Sequence, residues 1–469
     1  MLERGSLVND IHSQLNATRV HQIIRPESIE AVQEVVRTAT GLPLAIAGGR
    51  HAMGGQQFAQ DADLLDLTGL NGIIAFDAER GEIEVEAGIM WRALIEWLHA
   101  AQPDEPRPWS IIQKQTGADR LTLGGALSAN VHGRVLHHPP IVADVVAFTL
   151  IDASGAVRRC SREENADLFR LAIGGYGLFG PMVSVRLRLA PRRKVRREVA
   201  VLAVEDVIPT LQARAAEGCA YGDFQFAIDP AGEDFLRQGI CAVYRPVADE
   251  TPLPPGQRAL SRADWEGLIT LSHTDPRRAS DTYTQHYLAT DGQIYWSDSH
   301  QLADYHDGYH ATLDQRLGAA HPGSEMITEL YVPRQDLPRF MAEVAADFRQ
   351  HGTQVIYGTV RVIERDEETV LAWAREPWVC IIFNLHVEHT PEGIARAAAA
   401  FRSLIDRALT LGGSFYLTYH RWATREQIEA AYPAFPAFLA EKLRHDPGER
   451  FQSDWYRHYR DQELGRPAG

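Results

Sequence analysis

Pro43-Leu-Ala-Ile-Ala-Gly-Gly-Arg-His-Ala-Met-Gly-Gly-Gln-Gln-Phe58 is the stretch around which the rest of the chain is read. Its apolar start, residues 43–47, reads as a buried strand and runs straight into four glycines within eight residues. Such glycine density lets backbone and ligand approach closely, so several N–H groups can point at one anion. The loop suits a pyrophosphate, and His51 stands in its middle.

Two more small-residue stretches follow. In residues 116–134, Thr-Gly-Ala-Asp-Arg-Leu-Thr-Leu-Gly-Gly-Ala-Leu-Ser-Ala-Asn-Val-His-Gly-Arg, the run of small residues from Gly124 to Asn130 implies that something large lies close to this backbone. Gly174-Gly-Tyr-Gly-Leu-Phe-Gly180 satisfies a GxGxxG spacing, but an alternating strand pattern follows it, and a dinucleotide fold built on that motif needs a helix there.

Between these landmarks the pattern predicts many short strands with interspersed helices. Strands are expected at 18–24, 63–67, 72–76, 82–86, 142–152, 156–160 and 182–189, and helices at 90–100 and 163–172 and where Ile29, Val32, Val35 and Val36 recur at helical spacing after Pro26 and Ser28. Residues 190–197, Ala-Pro-Arg-Arg-Lys-Val-Arg-Arg, read as a charged boundary. Beyond it a helix is expected at 203–215 and strands at 221–228 and 239–245. Residues 246–310 read as loop-rich, with an aromatic and histidine-rich run (Tyr283, His286, Tyr287, Tyr295, Trp296, His300, Tyr305, His306, Tyr309, His310) expected at the surface or in a lid. Strand, helix, strand, strand and helix complete the pattern at 325–333, 337–350, 354–363, 379–388 and 390–411. The class is α+β, with antiparallel strands covered by helices on one side.

Composition narrows the function. With 469 residues, 45% hydrophobic and 23% charged, the chain is long enough for two or three cores and for burying a cofactor. Its net charge of −15 disfavours nucleic acid or an anionic membrane as partner. Four widely spaced cysteines give neither a zinc motif nor a disulfide framework, and the histidine-rich run has no regular ligand spacing, so no metal is expected. The acidic N-terminus and the lack of a long apolar run predict a cytoplasmic chain without a membrane span.

Taken together, the three glycine stretches resemble the vanillyl-alcohol oxidase superfamily, also called the PCMH-type FAD-linked oxidoreductases. That family's first loop reads roughly G-x-G-H-S-x-x-G, and Gly48-Gly-Arg-His-Ala-Met-Gly-Gly-Gln56 is similar to it. The resemblance implies that His51 is bonded covalently to FAD, with Gly48, Gly49, Arg50, Ala52, Met53, Gly54 and Gln56 beside it. Residues 123–134 resemble the family's second FAD stretch, and residues 174–180 its third. The remaining implied FAD contacts are Thr116, Gly117, Thr122, Gly124, Gly125, Ser128, Asn130, Gly133, Gly177, Gly180 and Val183. A two-lobed FAD-binding domain at 1–192, a substrate domain built on an antiparallel sheet at 193–411, and a segment at 412–469 returning to the active site follow from the same resemblance.

The second half is similar to the aldonolactone and alditol oxidases and their decaprenylphosphoryl-ribose oxidase relatives, through residues 329–333, 357–364, 413–421 and 446–454. That implies oxidation of a CH–OH group in a sugar, polyol, lactone or related small molecule, with dioxygen or another electron acceptor as second partner. Thr359 stands where those enzymes commonly have Glu before Arg361, and Tyr419 stands in place of a lysine. Arg361, Tyr419, His420 and His132 are the candidate catalytic groups. A histidine pKa near ~6.5 matches proton transfer at neutral pH, which favours His420 over Tyr419. The loop around His51 also resembles that of cytokinin dehydrogenases, leaving open a C–N dehydrogenase, a reductase, or a flavin-binding protein without turnover.

Overall fold

The computed structural model describes residues 3–38, 41–303 and 308–463; Tyr305 and His306 of the aromatic run lie outside them. The N-terminal part holds a sheet in which Gln22–Ile24, Asp63–Asp66 and Leu44–Ala47 run parallel, linked through the helix Ile29–Thr38. Val32 and Val36, one helical turn apart, pack on Leu44 and Leu65, which explains why an apolar 3.6-residue period sits beside an apolar strand. A second, antiparallel sheet has five strands in the order Val157–Ser161, Val145–Ile151, Met182–Arg188, Glu82–Glu86 and Ile73–Asp77. Gly180 is followed by Pro181 and a strand, so the GxGxxG run opens no helix.

The remaining large sheet has eight strands, and all of its pairings are antiparallel. In its central part, Tyr221–Phe226, Val355–Ile363, Trp378–Glu388 and Gly323–Pro333 lie side by side in that order. Register sorts their side chains. Leu330, Val360, Ile381 and Phe383 are buried in one core with Phe340 and Phe348 of the helix Leu337–His351 and with Phe401 and Leu404 of Pro391–Thr410. Each such fully buried side chain contributes about 1.5–3 kcal/mol. The other face carries Asp223, Gln225, Thr359, Arg361, Asn384, Glu325 and Glu329, the residues that alternate with the apolar set.

Several expectations are overturned. Residues 246–310 are not mainly loop: they include the helices Arg262–Thr274 and Pro276–Leu288, and another helix, Tyr309–Leu317, begins at their end. Ser261 and Asp264 form a capping box, and Asp275 caps the second helix, which starts with proline, but these helices bury so few apolar side chains that periodicity hides them. The charged run near 190–197 leads into the eight-stranded sheet, where Lys194–Ala203 is a strand paired on both edges. Its Arg197 lies over the rings of Tyr244, Tyr287 and Tyr295. Nor is the aromatic run simply surface: His300 and His310 are buried, with His300 stacked on Tyr244. The expected strand from 142 begins at Val145 after a 3₁₀ turn, and the helix expected from 163 begins at Ala166, where Asn165 takes a left-handed conformation.

Residues after Thr410 return to the first loop. Met53 donates its N–H to the Thr418 carbonyl and the Gln56 side chain donates to that of Leu417, while Leu44 bridges to Phe451. Among the described residues no helix is long and apolar enough to cross a membrane.

Candidate active site

A cavity of about 720 Å³ lies between the glycine stretches and the polar face of the eight-stranded sheet. That volume is in the upper part of the usual range for ligand pockets, roughly 300–1,000 Å³. From the first loop Gly48, Gly49, Arg50, His51, Ala52, Met53 and Gln56 line it. Thr116, Gly117, Thr122, Gly124, Gly125 and Ser128 add the second wall, and Gly177 and Gly180 the third. The stretches meet because side chains are missing where they touch. A Cβ on Gly48 would stand 2.1 Å from Thr122 Oγ1, the atom that accepts the Gly125 N–H at the start of the helix Leu123–Ala129. At Gly180, φ is +136° and a Cβ would lie 2.1 Å from the Ile151 carbonyl oxygen, so glycine is required there on both counts. The result is a wall of backbone and small side chains, the surface that a dinucleotide cofactor needs.

Four of the residues expected at FAD do not line the cavity. Gly54 donates its N–H to Gln56 Oε1 behind the loop. Asn130 ends the helix in a left-handed conformation and donates to Asp366. Gly133 is held by Gln113, and Val183 is packed among Val32, Leu44 and Leu65.

His51 is buried at the cavity wall, its Nδ1 2.9 Å from His12 Nε2. Burial, followed by the neighbouring His12, pushes its pKa well below the usual histidine range, so the ring is neutral at physiological pH and keeps a lone pair.

Arg361 and Tyr419 also line the cavity. Arg361 is buried, and its Nε and Nη1 have no hydrogen-bond partner. On the same sheet face Thr359 Oγ1, Asn384 Oδ1, Gln225 Oε1 and Asp223 Oδ1 are also buried without partners, and all four residues line the cavity. Buried polar atoms are normally satisfied, so a concentration of orphans marks a place where a ligand supplies the missing bonds. Tyr419 donates to Glu329 Oε2 and receives a hydrogen bond from Gln115, both at 3.2 Å. Burial and then the Glu329 charge raise the phenol pKa well above its usual value.

Glu329 is a site residue that sequence reasoning did not single out. Burial alone would raise its pKa, but the His132 ring and the hydrogen bonds from His132, Cys380 and Tyr331 bring it down to about 2. Its Oε1 is 2.7 Å from His132 Nε2. A sequence signal did exist: Glu325 and Glu329 are two carboxylates at the same alternation phase of one strand. His132 therefore supports Glu329 from outside the cavity. His420 is outside it too, packed against Phe401, Phe415 and Trp422. Its Nδ1 accepts the Trp422 N–H and its Nε2 faces the Thr328 hydroxyl, both at 3.3 Å, while burial and then Arg402 lower its pKa to about 3. The structure thus brings Arg361 and Tyr419 to the cavity and sets His132 and His420 behind its walls.

Comparison with known proteins agrees with this geometry. Residues 20–161 match the FAD binding domain family. The chain is 25% identical to L-gulonolactone oxidase of Bos taurus over 243 residues, 51% of this chain and 50% of that protein. Against L-gulonolactone oxidase of Mus musculus it is 20% identical over 443 residues, 92% and 93% of the two chains. With cytokinin dehydrogenase 5 of Arabidopsis thaliana it shares 30% over 191 residues, 38% of this chain and 34% of the plant protein. The first two matches by strength therefore span half or less of the relatives' length, whereas the mouse alignment runs almost end to end. The first two glycine walls of the cavity lie within the matched region, so residues 20–161 are an FAD binding domain, and the chain as a whole is similar to FAD-linked oxidoreductases.

Proposed function

We propose that the protein oxidises a CH–OH group of a sugar, polyol, lactone or related hydroxylated small molecule, using FAD attached through His51. The supporting observation is the buried Arg361, whose Nε and Nη1 lack partners, among the orphaned atoms of Thr359, Asn384, Gln225 and Asp223 in the cavity that His51 also lines. An apolar substrate would leave these groups unsatisfied at about 1–3 kcal/mol each, whereas a hydroxyl-rich one satisfies donors and acceptors together. The three glycine stretches fit the cofactor, and a bound FAD supplies the two-electron acceptor.

The chain's own residues then have distinct tasks. Arg361 donates to substrate oxygens. Tyr419, its proton directed to Glu329, turns a lone pair toward the cavity and accepts the hydrogen bond of the reacting hydroxyl; as that proton reaches Oη, the phenol's own proton passes to Glu329 Oε2. Gln115 and Glu329 hold that phenol in place. A neutral His51 has the free ring nitrogen that a covalent attachment requires. We assign residues 1–192 to the cofactor, 193–411 to the substrate and 412–469 to closing the site, with a small molecule and a separate electron acceptor as partners.

Anaerobic mixing of purified protein with a panel of polyols, lactones and amines tests the reading through flavin absorbance. Bleaching by hydroxylated donors is expected. Bleaching by amines alone would favour the C–N reading instead, and protein purified without flavin would overturn the assignment. Flavin fluorescence should stay with the denatured chain and vanish from it in His51→Ala; its persistence there would remove His51 as the attachment point.

A further inference from the structure

At the edge of the cavity, away from Arg361 and Tyr419, the strand Gly323–Pro333 carries a second buried carboxylate, Glu325, that the reading above does not use. Imidazoles surround it. His273 Nε2 lies 3.0 Å from Oε1, His386 Nδ1 3.5 Å from Oε1, and His310 Nδ1 3.0 Å from Oε2. One ligand atom each from His273, Glu325 and His386 fall within 4.8 Å of one another. We propose that His273, Glu325 and His386 bind a divalent first-row transition-metal ion at the cavity wall, with His310 holding the carboxylate.

Three observations support this beyond proximity. Zinc bonds of about 2.0–2.2 Å in a tetrahedron put neighbouring ligand atoms roughly 3.4 Å apart, and the nitrogen–carboxylate separations bracket that value. Next, His386 Nδ1 is buried without a well-formed hydrogen bond although it stands 3.5 Å from Glu325 Oε1, and an ion would supply the partner that this nitrogen lacks. Last, the cluster has the supporting contacts that metal-bound histidines use. The Gln354 side-chain amide stands 3.3 Å from His273 Nδ1, and with its oxygen turned inward it accepts that N–H and leaves the Nε2 lone pair to the ion. Gly323 makes room for the His386 ring, since a Cβ there would be 2.4 Å from Cε1.

The donor set, two imidazoles and one carboxylate, suits Zn²⁺, Fe²⁺, Mn²⁺ or Co²⁺ and leaves a coordination position for an oxygen ligand. Glu325 and Tyr309, whose hydroxyl donates to that carboxylate, line the cavity, so the open position lies on the ligand side. The ligands are far apart in the chain, which is why no spacing motif announces the site. Among the described residues the other group of this kind is His132, Glu329 and Cys380, whose carboxylate already serves Tyr419 in the site described above.

The test uses the full-length flavoprotein, stripped with a chelator and dialysed against Zn²⁺ or Co²⁺. About one ion per chain is expected, with a ligand-field absorption from Co²⁺, and the His273→Ala, His386→Ala double variant should bind at least roughly 100-fold more weakly. Glu325→Gln, which preserves shape, should show the same loss and serves if the double variant does not fold. Flavin content is read in parallel, so failure of the flavin reading and failure of the metal site remain separate outcomes. Uptake no greater than in the variants, or a wild-type chain that takes up no Co²⁺, overturns the proposal.

Discussion

A guanidinium buried away from water needs acceptors, and Arg361 lacks them at Nε and Nη1. Ligand oxygens on that side chain form charge-assisted hydrogen bonds of about 1.5–3 kcal/mol. Arg361→Ala is therefore expected to lower kcat/KM by roughly ten- to hundredfold. Arg361→Lys should recover little, because a point charge does not reproduce the planar fork. Tyr419→Phe should slow flavin reduction by roughly 10²–10⁴ in stopped-flow measurements, the range for losing one positioned proton acceptor. His420→Phe should leave that rate near wild type; a loss as large as that of Tyr419→Phe would put His420 back into the chemistry. The sequence makes both residues visible but not which one faces the ligand. Adjacent side chains point in different directions, and a ring pKa near neutrality says nothing about burial among Phe401, Phe415 and Trp422.

The glycine loops and the large sheet are tested at the level of elements. Gly48→Ala forces the first loop away from Thr122, against which a Cβ would stand at 2.1 Å, so purified protein should retain much less flavin at similar helix content. Flavin content equal to wild type would show that the loop has slack. Ser261→Ala should cost about 1 kcal/mol through loss of a helix cap, read from the denaturant midpoint. These elements were unequally legible. Apolar periodicity revealed Ile29–Thr38 and Pro391–Thr410 because each presents an apolar stripe to a core. Arg262–Thr274 and Pro276–Leu288 bury only Leu268, Ser272 and Ala279, so only their caps reveal them. In the sheet, alternation distinguishes two faces but cannot tell water from a ligand cavity, so nothing in the sequence singles out Asp223, Gln225 and Asn384.

Over the whole molecule, buried titratable groups set the response to acid. His12 and His420 are both held at about 3, chiefly by burial, so the fold keeps them neutral while the unfolded chain takes up protons below about 6.5. Between those values the unfolded chain binds more protons, and stability rises with pH by up to roughly 1.4 kcal/mol per unit for each group. Glu329, at about 2 in the fold against 4.5 ordinarily, adds the same sign at lower pH. The melting temperature should fall steadily from pH 6.5 to 4, and His420→Phe should flatten part of that slope; a pH-independent melt would contradict the burial of these groups. The order of the three glycine stretches made the cofactor fold legible at this scale, since one wall requires the others. What stayed hidden was every contact that joins distant parts of the chain, Glu329 to His132 among them. The pairing of Leu44 with Phe451, and of Met53 and Gln56 with the carbonyls of Thr418 and Leu417, has a temporal consequence. On the ribosome the His51 loop emerges long before residues 417–451 and lacks these partners until they follow, so nascent chains stalled before Leu417 are expected to carry no flavin.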